Sequence, residues 1–346
     1  MDQYKRIGID TSKSVFQLHG VDADEKPVLR KQVRRLKVLE FFKGVAPTII
    51  ALEACGASHY WARELKTFGH DVRLIAPQLA KPFVKRGKND AADAEALCEA
   101  ASRPTMRYVP VKTAEQQAAL MLAGSRERLV RQRVQLTNAI RGLAAEFGLV
   151  AAKGTSHIMP LLARIDDDAT VPALAREMFD GLRSDYEHVE TRISEVDAKL
   201  RSWHRANEAS QRLARVPGIG PVIASLLVMK TPDPAAFRSG RDFAAWLGLT
   251  PKDHSTAGKT RLGRITRAGD ETLRSLLVVG ATAVIWKTRS GAAKHPMPWL
   301  LKLLERKPAK LAAVALANKM ARIAWKLLMS GEAYDAARVR PEAAAA

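Results

Sequence analysis

The chain has 346 residues, 47% of them hydrophobic, which is enough for about two domains with proper cores and excludes a tail or a linker. Lys and Arg outnumber Asp and Glu by 56 to 36, a formal charge of +20 that repels itself unless a polyanion neutralises it, so nucleic acid ranks ahead of an acidic membrane or a merely solvated basic surface. Cys55 and Cys98 form no Cys-x-x-Cys pair and no Cys/His cluster, which excludes a disulfide framework and a structural zinc site, and the absence of any apolar run of signal-peptide or membrane-spanning length completes the expectation of a soluble, cytoplasmic protein.

Residues 5–110 alternate short strands and helices. Segments 7–10, 15–19, 28–32, 48–53 and 72–76 are short, partly β-branched and bounded by turn residues, which predicts strands. The first three are separated by little more than turns and suit an antiparallel meander. A helix over 36–43, the strand ending at Glu53, a helix over 58–68 and a further strand follow. That order predicts a mixed sheet of RNase H-like type, an α/β domain over residues 1–110.

From 113 to 147 the pattern is helical and strongly basic. Arg126 and Arg131 are its candidates for nucleic-acid contact, against a solvated helix face as the plain alternative. Leu182, Tyr186, Val189, Ile193, Val196, Leu200 and Trp203 step by four and three, the spacing of a coiled-coil seam, which predicts a helical hairpin or a dimer seam within a helical region over 111–210. Residues 148–180 hold Gly154, Pro160 and Pro172 and read as a loop or short-helix insertion. In RVPGIGPVIASLL, Gly218 and Gly220 sit between two apolar helical stretches, so the turn resembles a helix-hairpin-helix that offers backbone N–H groups to a phosphate; it also suits a plain connection between packed helices. A second basic stretch over 238–274 and helices over 272–288 and 308–330 complete a mainly helical region over 211–333, and residues 334–346 read as a disordered tail.

Asp10 ends the first predicted strand, in RIGIDTSK, and Glu53 ends another and is followed by Ala-Cys-Gly. A carboxylate at the end of a buried central strand is costly without a partner or cation. In the RNase H-like order these two strands are neighbours, which brings Asp10 and Glu53 to a common point. KNDAADAEAL adds Asp90 and Asp93 at i, i+3 spacing, on one helix face beside small alanines, although Asp90 also suits a helix cap. Four converging carboxylates repel one another without a cation, and a pair of Mg²⁺ (or Mn²⁺) ions about 4 Å apart would relieve this and clamp a scissile phosphate.

GIDTSK, LEACG with the aromatic-rich helix after it, and KNDAADAEAL resemble the Asp-Glu-Asp-Asp catalytic domain of the insertion-sequence one-ten family of transposases, whose fold resembles the Holliday-junction resolvase RuvC. RVPGIGPVIASLL, FAAWLGLTPKDHSTAGKTRLGRITRAGD and ALANKMARIAWKLL resemble that family's second domain, so the resemblance spans nearly the whole chain. HSTAGK is similar to the family branch with His-Ser-x-Gly-Gly-Lys at this place; Ala257 stands for a glycine, a small-for-small change of little expected consequence.

The resemblance implies a two-part active site: four acids that bind metal, and a serine of the second domain, Ser255 by motif, that attacks a DNA phosphate and forms a covalent phosphoserine link. Thr256 is its nearest competitor. His254 is a candidate to orient or deprotonate the hydroxyl, and Lys259, Arg261, Arg264 and Arg267 read as phosphate clamps. The resemblance further implies a non-coding guide RNA that pairs with double-stranded donor and target DNA. Because the acids and Ser255 fall in different domains, an active site shared between protomers of a dimer or tetramer is expected, assembled in part by the 182–203 seam. The rival classes are a nuclease or junction resolvase that uses water, and a non-enzymatic binder.

Overall fold

The computed structural model describes residues 3–85, 89–293 and 297–335, and the chain falls into two units, Met1–Gln117 and Ala118–Ala346. In the first, β1 (Arg6–Asp10), β2 (Val15–Val21) and β3 (Pro27–Arg34) form the antiparallel meander. After α1 (Val38–Lys43) the chain returns as β4 (Ile49–Glu53), parallel to β1, and after α2 (Ser58–Thr67) as β5 (Asp71–Ile75), parallel to β4. Short α3 (Pro77–Ala80), then α4 (Asp90–Ala100), lead to β6 (Tyr108–Val109), an antiparallel edge. The six strands lie in the order β3-β2-β1-β4-β5-β6, a mixed sheet as the order of elements predicts.

Strand alternation sends Ile7 and Ile9 into one core, with Phe16, Phe42, Trp61 and Leu65. Ala51 and Ile75 face a second core closed by Leu97 and Ala100 of α4. Gly8 lets α4 come close: a Cβ there would lie 2.1 Å from the Ala94 carbonyl oxygen and 2.6 Å from the Cys98 nitrogen. Only glycine admits that approach.

The second unit is helical. α5 (Ala114–Ala145), α6 (Ile158–Asp167) and α7 (Ala173–Arg205) come first. α8 (Glu208–Leu213), α9 (Pro221–Lys230) and α10 (Gly240–Trp246) follow, then a hairpin of β7 (Pro251–Asp253) and β8 (Leu262–Ile265), and α11 (Glu271–Arg289), α12 (Pro298–Arg306) and α13 (Ala309–Ser330). The 148–180 insertion holds α6 and the start of α7. The tail beyond residue 335 lies outside the described residues.

α5 and α7 run antiparallel, tied by Arg126–Asp197 at 2.6 Å and Arg133–Glu190 at 3.3 Å. This corrects the expectation of a dimer seam. Val189, Ile193, Val196 and Leu200 are at most 7% exposed and share a core with Ala123 and Leu129 of α5 and Leu213 and Leu226 of α8 and α9, while Tyr186 packs with Ile140 and Ala144. The stripe is a hairpin face, already covered by its own chain. The hairpin of β7 and β8 was not expected: both strands are largely exposed and show no apolar alternation.

Candidate functional site

Backbone pairing sets the first half of the site. Ile9 of β1 stands opposite Leu52 of β4 in parallel register, so Asp10 and Glu53 close two adjacent strands at the same edge. The loops after them touch, with Thr11 Oγ1 3.6 Å from Cys55 Sγ. Asn89 caps α4, its Oδ1 accepting from the Ala92 N–H at 2.8 Å, so Asp90 is not the cap but the first helical residue. Asp93 sits one turn on, and the positive end of the helix favours both acids there.

One oxygen from each of Asp10, Asp90 and Asp93 can be chosen so that all lie within 4.8 Å of one another. Glu53 stands outside that triple but within range of its field. Burial first, then the charges of Asp90, Asp93 and Glu53, push the Asp10 carboxyl up to about 6. Among the described residues no Lys or Arg pairs with these acids. An all-oxygen set of this kind fits a hard divalent cation such as Mg²⁺ or Mn²⁺ and not a soft one.

The second unit presents Ser255 just beyond β7. His254 N–H donates to the Arg261 carbonyl at 2.9 Å, and Thr256 and Lys259 bridge the ladder beyond it. Ala257 (φ 48°) and Gly258 (φ 77°) turn the chain, both left-handed as a type I′ turn requires. The alanine is therefore not the neutral replacement expected, because its Cβ occupies a conformation that glycine adopts freely. Ser255 Oγ accepts from the Arg261 N–H at 2.9 Å, and the Ser255 N–H donates to Asp253 Oδ1 at 2.8 Å. Hydrogen bonds from the Ser255 side chain and backbone hold the Asp253 carboxyl below the usual carboxylate range. The His254 imidazole lies over Gly263, where a Cβ would come within 3.2 Å of the ring. Asp253 was missed from sequence; its only signal was the Asp-x-Ser spacing of an Asx turn.

Lys259, Arg261, Arg264 and Arg267 are all exposed, and Arg267 holds a left-handed backbone (φ 56°) with its N–H on the Gly248 carbonyl at 3.2 Å. Of the helical candidates, half-buried Arg126 is engaged by Asp197, and exposed Arg131 meets Glu127 at 2.5 Å. Gly218 is a packing position: a Cβ would lie 2.9 Å from Met320 Cε and 3.0 Å from the Gly280 carbonyl. Gly220 is open and forms the N-cap of α9, which no side chain closes.

Residues 7–147 match a transposase family profile with a DEDD domain of IS110 type, and residues 210–295 match the family described as "Transposase IS116/IS110/IS902 family". The chain is 65% identical over 334 residues to "Putative transposase y4pF/y4sB" of Sinorhizobium fredii, covering 96% of this chain and 86% of that protein. This chain belongs to the IS110/IS116 family of transposases. It is 49% identical over 332 residues to "Probable family 20 transposase" of Pseudomonas aeruginosa, covering 95% of this chain and 98% of that one. Against "Transposase for insertion sequence element IS1328" of Yersinia enterocolitica the identity is 37% over 329 residues, with the same two shares, 95% and 98%. The transposase thus acts on DNA, and its DEDD domain, with the carboxylates described above, suggests the use of a divalent metal. Among the described residues no helix is long and apolar enough to cross a membrane.

Proposed function

We propose that the transposase cuts and rejoins DNA through a covalent phosphoserine intermediate, with an RNase H-like first unit that holds metal and a second unit that supplies Ser255. The observation that carries the metal half is the meeting of Asp10, Asp90 and Asp93 beside Glu53, with no Lys or Arg paired to them among the described residues. A divalent ion held there would neutralise charge as it builds on a reacting phosphate. The serine half rests on a hydroxyl displayed at an exposed hairpin with Lys259, Arg261 and Arg264 beside it.

In this reading Ser255 Oγ forms a bond to phosphorus as the bond from phosphorus to the leaving sugar oxygen breaks. The serine proton leaves as one is taken up by the sugar oxygen. The phosphoserine keeps the phosphoester energy, so rejoining is the reverse attack by a DNA hydroxyl and needs no nucleotide cofactor. Asp253 and the Arg261 N–H hold the serine in place. Lys259, Arg261, Arg264, Arg267 and the open turn at Gly220 contact phosphates, and Arg131 offers a further cation. Donor and target DNA are double-stranded, and a non-coding guide RNA selects them by pairing while the protein reads backbone and shape; +20 charge with only 6% aromatic residues supports backbone contact.

The alternative is a metal-dependent nuclease or junction resolvase with water as nucleophile. Incubation with substrate DNA and Mg²⁺, followed by denaturing electrophoresis, separates the two. The serine reading expects a protein–DNA adduct that Ser255→Ala abolishes while Thr256→Ala retains it. Normal recombination by Ser255→Ala would rule it out.

A further inference from the structure

We propose that the second unit holds a groove for single-stranded nucleic acid beside the Ser255 hairpin. The groove has a volume of about 1070 Å³ and lies between the strands of the hairpin and α13, with Trp299 of α12 and Arg241 of α10 contributing. Its charge has one sign. Arg241, Arg264, Lys319, Arg322 and Lys326 line it and no carboxylate does, and among the described residues none of the five is held in an ion pair. Burial and the neighbouring Arg322 lower the proton affinity of the Lys319 ammonium, a mark of cations crowded without counter-charge. A polyanion relieves that crowding.

The floor is apolar, formed by Pro251, Ile265, Leu311 and Val314 together with the rings of Trp299 and Trp325. The Trp325 N–H is spent on the Pro234 carbonyl at 2.9 Å, and Lys319 Nζ lies 4.7 Å from the centre of the Trp299 ring. Phosphates need no such floor. Unpaired bases do, because their faces stack on aromatic and apolar surface while a cationic rim follows the backbone. The volume lies at the upper end of ordinary ligand pockets, about 300–1,000 Å³ in general, which is room for a short run of one strand. The aromatic and apolar lining suits unpaired bases rather than the stacked, paired bases of a duplex. Pro251, Gly263, Arg264 and Ile265 belong to the strands whose loop bears Ser255, Lys259 and Arg261, so a strand leaving the groove along the hairpin continues over cations toward the serine. This route favours nucleic acid over an acidic protein helix. For the destination of the strand the proposal rests on the serine reading, whereas occupancy of the groove is measured without cutting.

The test is fluorescence anisotropy of the full-length protein, without magnesium, on labelled oligodeoxythymidine and on a duplex of equal length. Arg322→Gln with Lys326→Gln is compared with Arg201→Gln with Arg205→Gln on exposed positions of α7, and Trp299→Leu removes the ring without a change of charge. The groove pair is expected to weaken single-strand binding about tenfold and to reduce the slope of log affinity against log salt by about 1.4, at ~0.7 per phosphate contact. Duplex binding should fall by less than about threefold, and Trp299→Leu should weaken the single strand at unchanged melting temperature. Equal single-strand loss in both pairs overturns the proposal. So does an equal loss on duplex, or displacement of the oligonucleotide by polyglutamate at matched charge. Binding is read here without magnesium and without cutting, whereas the serine reading is judged by the protein–DNA adduct, so failure of the one and failure of the other are told apart.

Discussion

Asp10, Glu53, Asp90 and Asp93 stand out in the sequence because each breaks a local rule, and the structure brings Asp10, Asp90 and Asp93 together with Glu53 outside the triple. Two carboxylates end apolar strands and two share a helix face next to alanines, and those exceptions survive without knowledge of the packing. Asp253 broke no rule, since an Asp two residues before a Ser is ordinary turn chemistry, and only the position of the hairpin gives it meaning. Histidines show the same limit. His59 accepts from the Lys112 N–H at 3.2 Å on Nδ1, and its Nε2 lies 3.0 Å from Lys112 Nζ. Burial, then the charges of Lys112 and Arg63, lower its pKa to about 4. The unfolded chain, near the usual value of about 6.5, takes up the proton first, so the stability from neutral His59 is complete above that pH and is lost as pH falls toward 4. Urea unfolding at pH 7.5 and pH 5 should show a smaller acid loss for His59→Gln than for wild type. An equal loss in both proteins would contradict this origin.

At the scale of elements, β1 to β5 follow apolar patterns bounded by turns and were legible, whereas β6 is two residues long and β7 and β8 lie exposed, so periodicity carried no signal. The hairpin turn contains a strained residue in Ala257. Left-handed backbone costs an alanine about 1–2 kcal/mol, and the extra unfolded freedom of glycine returns about 0.4–1 kcal/mol of that. Ala257→Gly should therefore stabilise the hairpin by about 0.5–1 kcal/mol, slowing exchange of the Lys259 amide, which donates to the Thr256 carbonyl at 2.9 Å, by about two- to fivefold. Faster exchange would show that the turn is not strained. Gly8 is the opposite case, because the obstruction is the backbone of α4 and cannot rotate away. Gly8→Ala should cost about 3 kcal/mol or more in thermal unfolding and shift the helix that bears Asp90 and Asp93. A loss below about 1 kcal/mol would mean that α4 is free to slide.

For the whole molecule, charge and the alternation of elements separated an α/β part from a helical part, and the mixed sheet has the expected strand order. The stripe on α7 was read correctly as apolar, but its period says only that something covers it. The cover is α5 and the helices after α7, so the buried part of the stripe is taken up by its own chain. The central claim of the proposed function is that carboxylates from β1 and α4, with Glu53 of β4 nearby, form one cation site that serves DNA cleavage. Its most direct test is Mn²⁺ binding followed by electron paramagnetic resonance, with DNA cleavage scored in the same preparations of wild type and Asp10→Asn. Wild type is expected to bind Mn²⁺ and cut, while Asp10→Asn still binds DNA but loses most of its Mn²⁺ affinity and its cutting. Equal Mn²⁺ binding and equal cutting in the two proteins would contradict the cation site.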